Sequence, residues 1–171
     1  MSYWIMVFTQ KPLGAFSEKD LLAAVTASNF HTLCDQYGLD PALIQPSLAY
    51  LAFDLSINGQ QPLLVLRYQP KHQPPIVVTE WDAMADGGLS LLEDVTEGLA
   101  IPVVLRNLEE TRFIYSVELV ESQLGDLGLL FAYELARWIA GRGSGLVLGL
   151  DRTWYRLNPF QAFIPLSDRN Y

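Results

Sequence analysis

The spacing of apolar and polar positions along the chain predicts both strands and helices. YWIMVF, residues 3 to 8, is an unbroken apolar run rich in aromatic and branched side chains, the pattern of a strand covered on both faces. After the KPLGA turn, Ser17 opens a helix, and Asp20 three residues later serves as a shorter version of the capping-box acid. Leu21, Leu22, Val25 and Phe30 form its apolar stripe. HTLCDQYGLD continues this helix or starts a second one, which Gly38 ends.

SLAYLAFDLSI, 47 to 57, alternates in part, and Asn58-Gly59 separates it from PLLVLRY. An Asn-Gly pair between two strand-like runs is the signature of a tight hairpin. IVVTEW reads as a further strand. LSLLEDVTEGL, 89 to 99, spaces Leu89, Leu92, Val95 and Leu99 as a short helix. IPVVLRNL and RFIYSVELV flank Glu109-Glu110-Thr111 as a second hairpin. GDLGLLFAYELARWIAG carries the strongest helical pattern, with Gly141 or Gly143 as its stop.

These elements add up to one α+β domain over residues 1–171. A mostly antiparallel sheet carries two or three helices on one face. Hairpins fall at about 47–69, 101–120 and 145–157, and an apolar tail at 158–171 packs on the core or on a partner.

GRGSGLVLGLDRTWYRLN, 141 to 158, is rich enough in glycine to raise a phosphate-binding loop as an option. Such a loop places glycines between a strand and the start of a helix, whose free N–H groups face the anion. Here the order is reversed, with the helix first, and no Gly-Lys-Ser/Thr ending is present. The glycines therefore read as a helix stop followed by a hairpin of Leu146–Leu150 and Thr153–Leu157, turned at Asp151-Arg152. A helix, a small-residue turn, a short apolar strand and a Trp-containing strand in succession resembles the ending of several bacterial immunity-type proteins.

Composition narrows the function classes. The formal net charge is −8, so a polyanion is repelled unless a basic patch offsets the field. The arginines are scattered, apart from Arg137, Arg142, Arg152 and Arg156 near the C-terminus. Nucleic acid is not an expected partner. The longest weakly polar segment, 124 to 140, carries Asp126, Glu134 and Arg137 and is too short and too charged to span a bilayer. No basic region precedes the first apolar run, which leaves the cytoplasm as the expected location. The single cysteine, Cys34, forms no internal disulfide. Apolar residues make up 50% of the chain and charged ones 18%, which suits either a well-filled core or a homo-oligomer contact.

Candidate chemistry is sparse. His31, Cys34 and Asp35 share a helix face, but a zinc site wants about four ligands, and His72 is the one other histidine. Glu93, Asp94 and Glu97 cluster on the short helix, with Glu80 and Asp82 upstream and Glu118 and Glu121 at a strand end; none reproduces a cation loop. Trp154 and Tyr155 are successive in a strand and so face opposite sides. Phe160 and Phe163 make the tail apolar. The expected function is non-enzymatic protein–protein binding, to a basic partner or to a second copy. Its sites are Glu93, Asp94, Glu97, Trp154, Tyr155, Phe160 and Phe163. The sharper version is an immunity-type inhibitor offering its acidic residues to a basic toxin. No catalytic residue, metal ligand or cofactor is expected. The competing reading is an enzyme or small-ligand binder using Glu80, Glu118 and Arg106.

Overall fold

The computed structural model describes residues 1–56, 59–70 and 73–167. In chain order the elements are β1 (Ser2–Thr9), α1 (Glu18–Thr26), α2 (Phe30–Tyr37), α3 (Ile44–Tyr50), β2 (Ala52–Leu55), β3 (Leu64–Arg67) and β4 (Ile76–Asp82). There follow α4 (Asp86–Thr96), α5 (Pro102–Glu109), β5 (Phe113–Val120), α6 (Gly128–Gly143), β6 (Leu146–Leu148), β7 (Trp154–Leu157) and β8 (Phe163–Leu166). The strands form one sheet in the order β2-β3-β4-β5-β1-β6-β7-β8, and every neighbouring pair is antiparallel. The architecture is α+β, as the pattern predicts.

Local chemistry sets many of the boundaries. The Ser17 hydroxyl accepts from the Asp20 N–H, and the Asp20 carboxylate accepts in return from the Ser17 N–H at 2.8 Å, a complete capping box on α1. Gly38 ends α2 at φ 68°, with its N–H bonded to the Cys34 carbonyl. β1 lies between β5 and β6, near the middle of the sheet. Its alternation sends Ile5 and Val7 to one face and Met6 and Phe8 to the other.

The helices divide between both faces of the sheet, where the sequence pattern predicts one. The first face packs Leu21 and Val25 of α1, Phe30 and Cys34 of α2, Ile44 of α3, and Phe131 and Leu135 of α6 against Ile5, Val7, Tyr115 and Val117. The second carries Leu91, Leu92 and Val95 of α4 and Val104 and Leu108 of α5 over Phe8, Ile114, Leu148 and Trp154.

The predicted hairpin at 101–120 is half wrong. IPVVLRNL is helical, and only Phe113–Val120 is a strand. Pro102 occupies the first turn of α5, where its missing N–H and fixed φ favour a helix start. Val104 and Leu108, four apart, then bury on the second face while Arg106 stays exposed. This packing overrides the strand preference of Val103-Val104. The 47–69 hairpin is also shorter than the pattern predicts: residues 44–50 form α3, and the pairing runs from Ala52 opposite Arg67 to Leu55 opposite Leu64. Ile57 at the end of the predicted strand and Asn58 of the predicted turn lie outside the described residues, as does His72.

The 145–157 hairpin forms with Val147 opposite Tyr155 and Leu148 opposite Trp154. The helix before it ends differently from the prediction. α6 runs through Gly141 and Gly143, and Ser144 takes the left-handed conformation at φ 54°. The glycines serve contact instead. A Cβ on Gly143 would lie 2.6 Å from the Thr9 side chain, and one on Gly145 would lie 2.5 Å from the Phe8 carbonyl oxygen. Their bareness lets the end of α6 close onto β1. The tail returns to the sheet, since β8 pairs with β7 from Trp154 opposite Leu166 to Leu157 opposite Phe163, with Pro165 within the strand.

Candidate functional site

The predicted binding residues are not one patch. Trp154 is buried on the second face, its ring 5.3 Å from Phe8, beneath α4 and α5. Tyr155 points to the first face, where it packs against Phe163 at 5.6 Å. Phe160 stands 89% exposed at the β7–β8 turn. Glu93, Asp94 and Glu97 are exposed on α4, on the opposite side of the sheet from Tyr155 and Phe163. The structure therefore resolves two sites, one on each face.

The second-face site arises because α4 and α5 cover only part of the sheet. Trp4 lies opposite Glu118 of β5, and Trp81 lies opposite Ile114, so both tryptophans flank β5 on the same face with Ser116 between them. Trp4 is 51% and Trp81 38% exposed, leaving two large aromatic surfaces open to water. The Trp81 indole N–H donates to Ser116 Oγ at 3.2 Å, which fixes its ring. Gly87 at the start of α4 packs on that ring, where a Cβ would lie 3.2 Å from it. Between the two rings and α4 lies a groove of about 630 Å³ lined also by Met6, Leu91, Asp94 and Arg152. Asp94 thus lines the same groove as the exposed tryptophans, and Glu93 and the C-cap Glu97 extend the acidic side of α4.

The first-face site is a groove of about 880 Å³ between α2, α6 and the β7–β8 corner. Tyr133 of α6 stacks with Tyr37 of α2 at 6.4 Å and meets Phe163 edge-on at 6.0 Å. The Tyr133 hydroxyl accepts from the Leu150 N–H at 3.1 Å. Burial pushes the Tyr133 pKa up to about 12, against the lowering effect of that hydrogen bond. Asp151 accepts from the Thr153 N–H at 3.0 Å and from the Tyr155 hydroxyl at 2.9 Å. Partial desolvation opposes ionisation of Asp151, but these hydrogen bonds outweigh it and hold its carboxyl below the usual range. Deeper in, Arg137 bridges the Ser28 hydroxyl at 2.9 Å and the buried Glu134 carboxylate.

The remaining candidates do not assemble. Glu80 pairs with Tyr115, whose side chain is on the first face, while Glu118 pairs with Trp4 on the second; Arg106 is exposed on α5. The enzyme reading thus loses the convergence of its three residues. Cys34 is buried, and burial raises its thiol pKa, whereas His31 on the same helix is exposed. Among the described residues no cluster of three or more His, Cys, Asp or Glu could hold a metal ion. Arg142 is committed to structure, donating to the Leu13 and Ala15 carbonyls at 2.9 and 2.8 Å and lying 5.1 Å from the Trp138 ring centre. Among the described residues no helix is long and apolar enough to cross a membrane. Ser144 ends a helix and begins none, so no phosphate-binding turn forms there.

Sequence reading missed Trp4, Trp81, Tyr37 and Tyr133. The position of Trp4 at an even step of β1, out of phase with buried Ile5 and Val7, was the available signal. No protein-family model, curated protein or solved structure matches the chain.

Proposed function

We propose that the protein acts by binding a basic protein segment in the groove between α4 and the open part of the sheet. The observation that carries this reading is the exposure of Trp4 and Trp81 together at one groove, beside Asp94. Exposed tryptophans cost free energy in an isolated chain, and centrally placed Trp side chains dominate the energetics of protein interfaces. Glu93, Asp94 and Glu97 supply an acidic rim, half-buried Glu118 adds a carboxylate beside Trp4, and the net charge of −8 attracts a cationic partner from a distance. Among the described residues, Arg152 is the single basic side chain lining the groove. An inhibitor that covers a basic surface on a toxin is the specific version of this function.

The test is selection from a random peptide display library on the immobilised protein. Enriched peptides rich in Arg and Lys with an apolar anchor are expected, with affinity lost by about tenfold or more in Trp4→Ala and Trp81→Ala. Charge removal in the triple variant E93Q/D94N/E97Q is expected to slow association and weaken its salt dependence. Failure to enrich, or peptides that bind the double tryptophan variant unchanged, overturns the proposal. A dimer seen by light scattering and broken by Trp4→Ala assigns the groove to a second copy instead.

A further inference from the structure

The first-face groove lies across the sheet from the tryptophans and stands on separate observations. Its wall is continuous aromatic surface, running from Tyr37 through Tyr133 and Phe163 to Tyr155 at ring separations of 6.4, 6.0 and 5.6 Å. Asp151 stands at the end of this wall, bonded to the Tyr155 hydroxyl. One glycine makes the convergence possible. A Cβ on Gly149 would lie 2.8 Å from Asp151 Oδ1, 3.0 Å from the Tyr133 hydroxyl and 3.0 Å from the Tyr155 ring. Any side chain at that position would drive the three apart.

The charge balance of the groove is negative. Its ionisable lining besides the tyrosines is Asp151, Glu134 and Arg137, and the last two neutralise each other as an ion pair. Aromatic faces are the negative pole of the ring quadrupole, and phenol oxygens add acceptors. An anion finds no free cationic group among these residues. A bare metal finds one carboxylate outside the Glu134–Arg137 pair in a space of about 880 Å³, within the size range of pockets for organic molecules.

We propose that this groove binds an organic cation, its alkylammonium or guanidinium head against the tyrosine rings and Asp151. The head comes either from a free amine or from a Lys or Arg side chain of a polypeptide. Ring faces and carboxylate act together, so a neutral molecule of the same shape binds less well. Tyr37 is the outermost wall of the site and Asp151 its charge.

Calorimetric titration with choline and with its neutral isostere 3,3-dimethyl-1-butanol tests the chemistry. Choline is expected to bind about fivefold tighter or better, the difference an exposed cation–aromatic contact provides. The preference should shrink but persist in Asp151→Asn, which keeps an acceptor for the Thr153 N–H and leaves the rings in place. Tyr37→Ala removes an exposed ring and should weaken choline while leaving the melting temperature in place. Choline-dependent shifts in the tyrosine ring resonances of the unaltered protein provide a readout that needs no variant. A blocked arginine tripeptide distinguishes the sources: tighter binding than choline indicates a side chain, weaker binding a free amine. No binding of either cation at millimolar concentration, or equal binding of the neutral isostere, overturns the proposal.

Discussion

The two faces of the sheet are built from the same strands by the same alternation, yet they differ in how completely they are closed. On the first face, α1, α2, α3 and α6 cover Ile5, Val7, Tyr115 and Val117. On the second, α4 and α5 cover Phe8 and Ile114 but stop short of Trp4. One strand, β1, therefore carries fully buried and half-exposed large side chains within a few residues. Amphipathic alternation guarantees that a face is apolar, and the length and placement of the covering helices decide how much of it water reaches.

Core truncations probe this difference most strongly. Phe131→Ala, in α6, empties a site between Phe30 and Tyr68 at ring separations of 5.6 and 5.3 Å and should cost about 3–5 kcal/mol in denaturant unfolding. Leu108→Ala, under α5 on the second face, should cost less, about 2–3 kcal/mol, because the thinner layer relaxes more easily. Equal costs would break the distinction between a closed and a part-covered face.

Alkaline pH probes the first face alone. Tyr68 and Tyr115 are buried there, and burial raises the pKa of both, as it does for Tyr133. An unfolded tyrosine loses its proton near pH 10, before the folded one does. Stability is thus complete below about pH 10 and falls as pH rises toward the folded values. Melting temperature should drop by several degrees between pH 9 and 11, and Tyr133→Phe should reduce the drop. Asp151 has the opposite sign: its depressed pKa adds stability above the usual carboxylate range, lost as pH falls through the folded value.

Smaller effects sharpen the picture. Ser144→Gly should raise stability by about 1 kcal/mol, because a non-glycine residue at φ 54° bears a steric cost. Trp4→Ala should cost less than either core truncation, on the order of 1 kcal/mol, because half of this residue is already in water. A large loss at Trp4 would mean that the open part of the sheet is core after all.

Much of the architecture was legible in the sequence, because it rests on local rules. The capping box at Ser17 and Asp20, the stop at Gly38, the strand at 113–120 and the opposed directions of Trp154 and Tyr155 follow from neighbours a few residues apart. α5 was not legible as a helix. The branched residues Ile101, Val103 and Val104 at its start favour extended structure locally, and burial of Val104 and Leu108 on a distant strand reverses that preference. The sites were illegible for a related reason. Trp4 and Trp81 share a groove only because β5, from far along the chain, inserts between their strands. Tyr37 and Tyr133 meet only because α2 docks on α6. Glycine spacing signals a helix stop and, at Gly145 and Gly149, a bulge or a close contact beside the strand; which segments press against Gly143, Gly145 and Gly149 is set by the fold.

The last strand has a consequence for how copies of the molecule can associate. β8 is four residues long and one of them is Pro165, which brings no amide donor; at the far margin, β2 is equally short and carries the Asp54–Arg67 pair at 3.4 Å. Both ends of the sheet are poor templates for a further strand. Growth of a ribbon or fibril by backbone pairing is disfavoured at each terminus of the array.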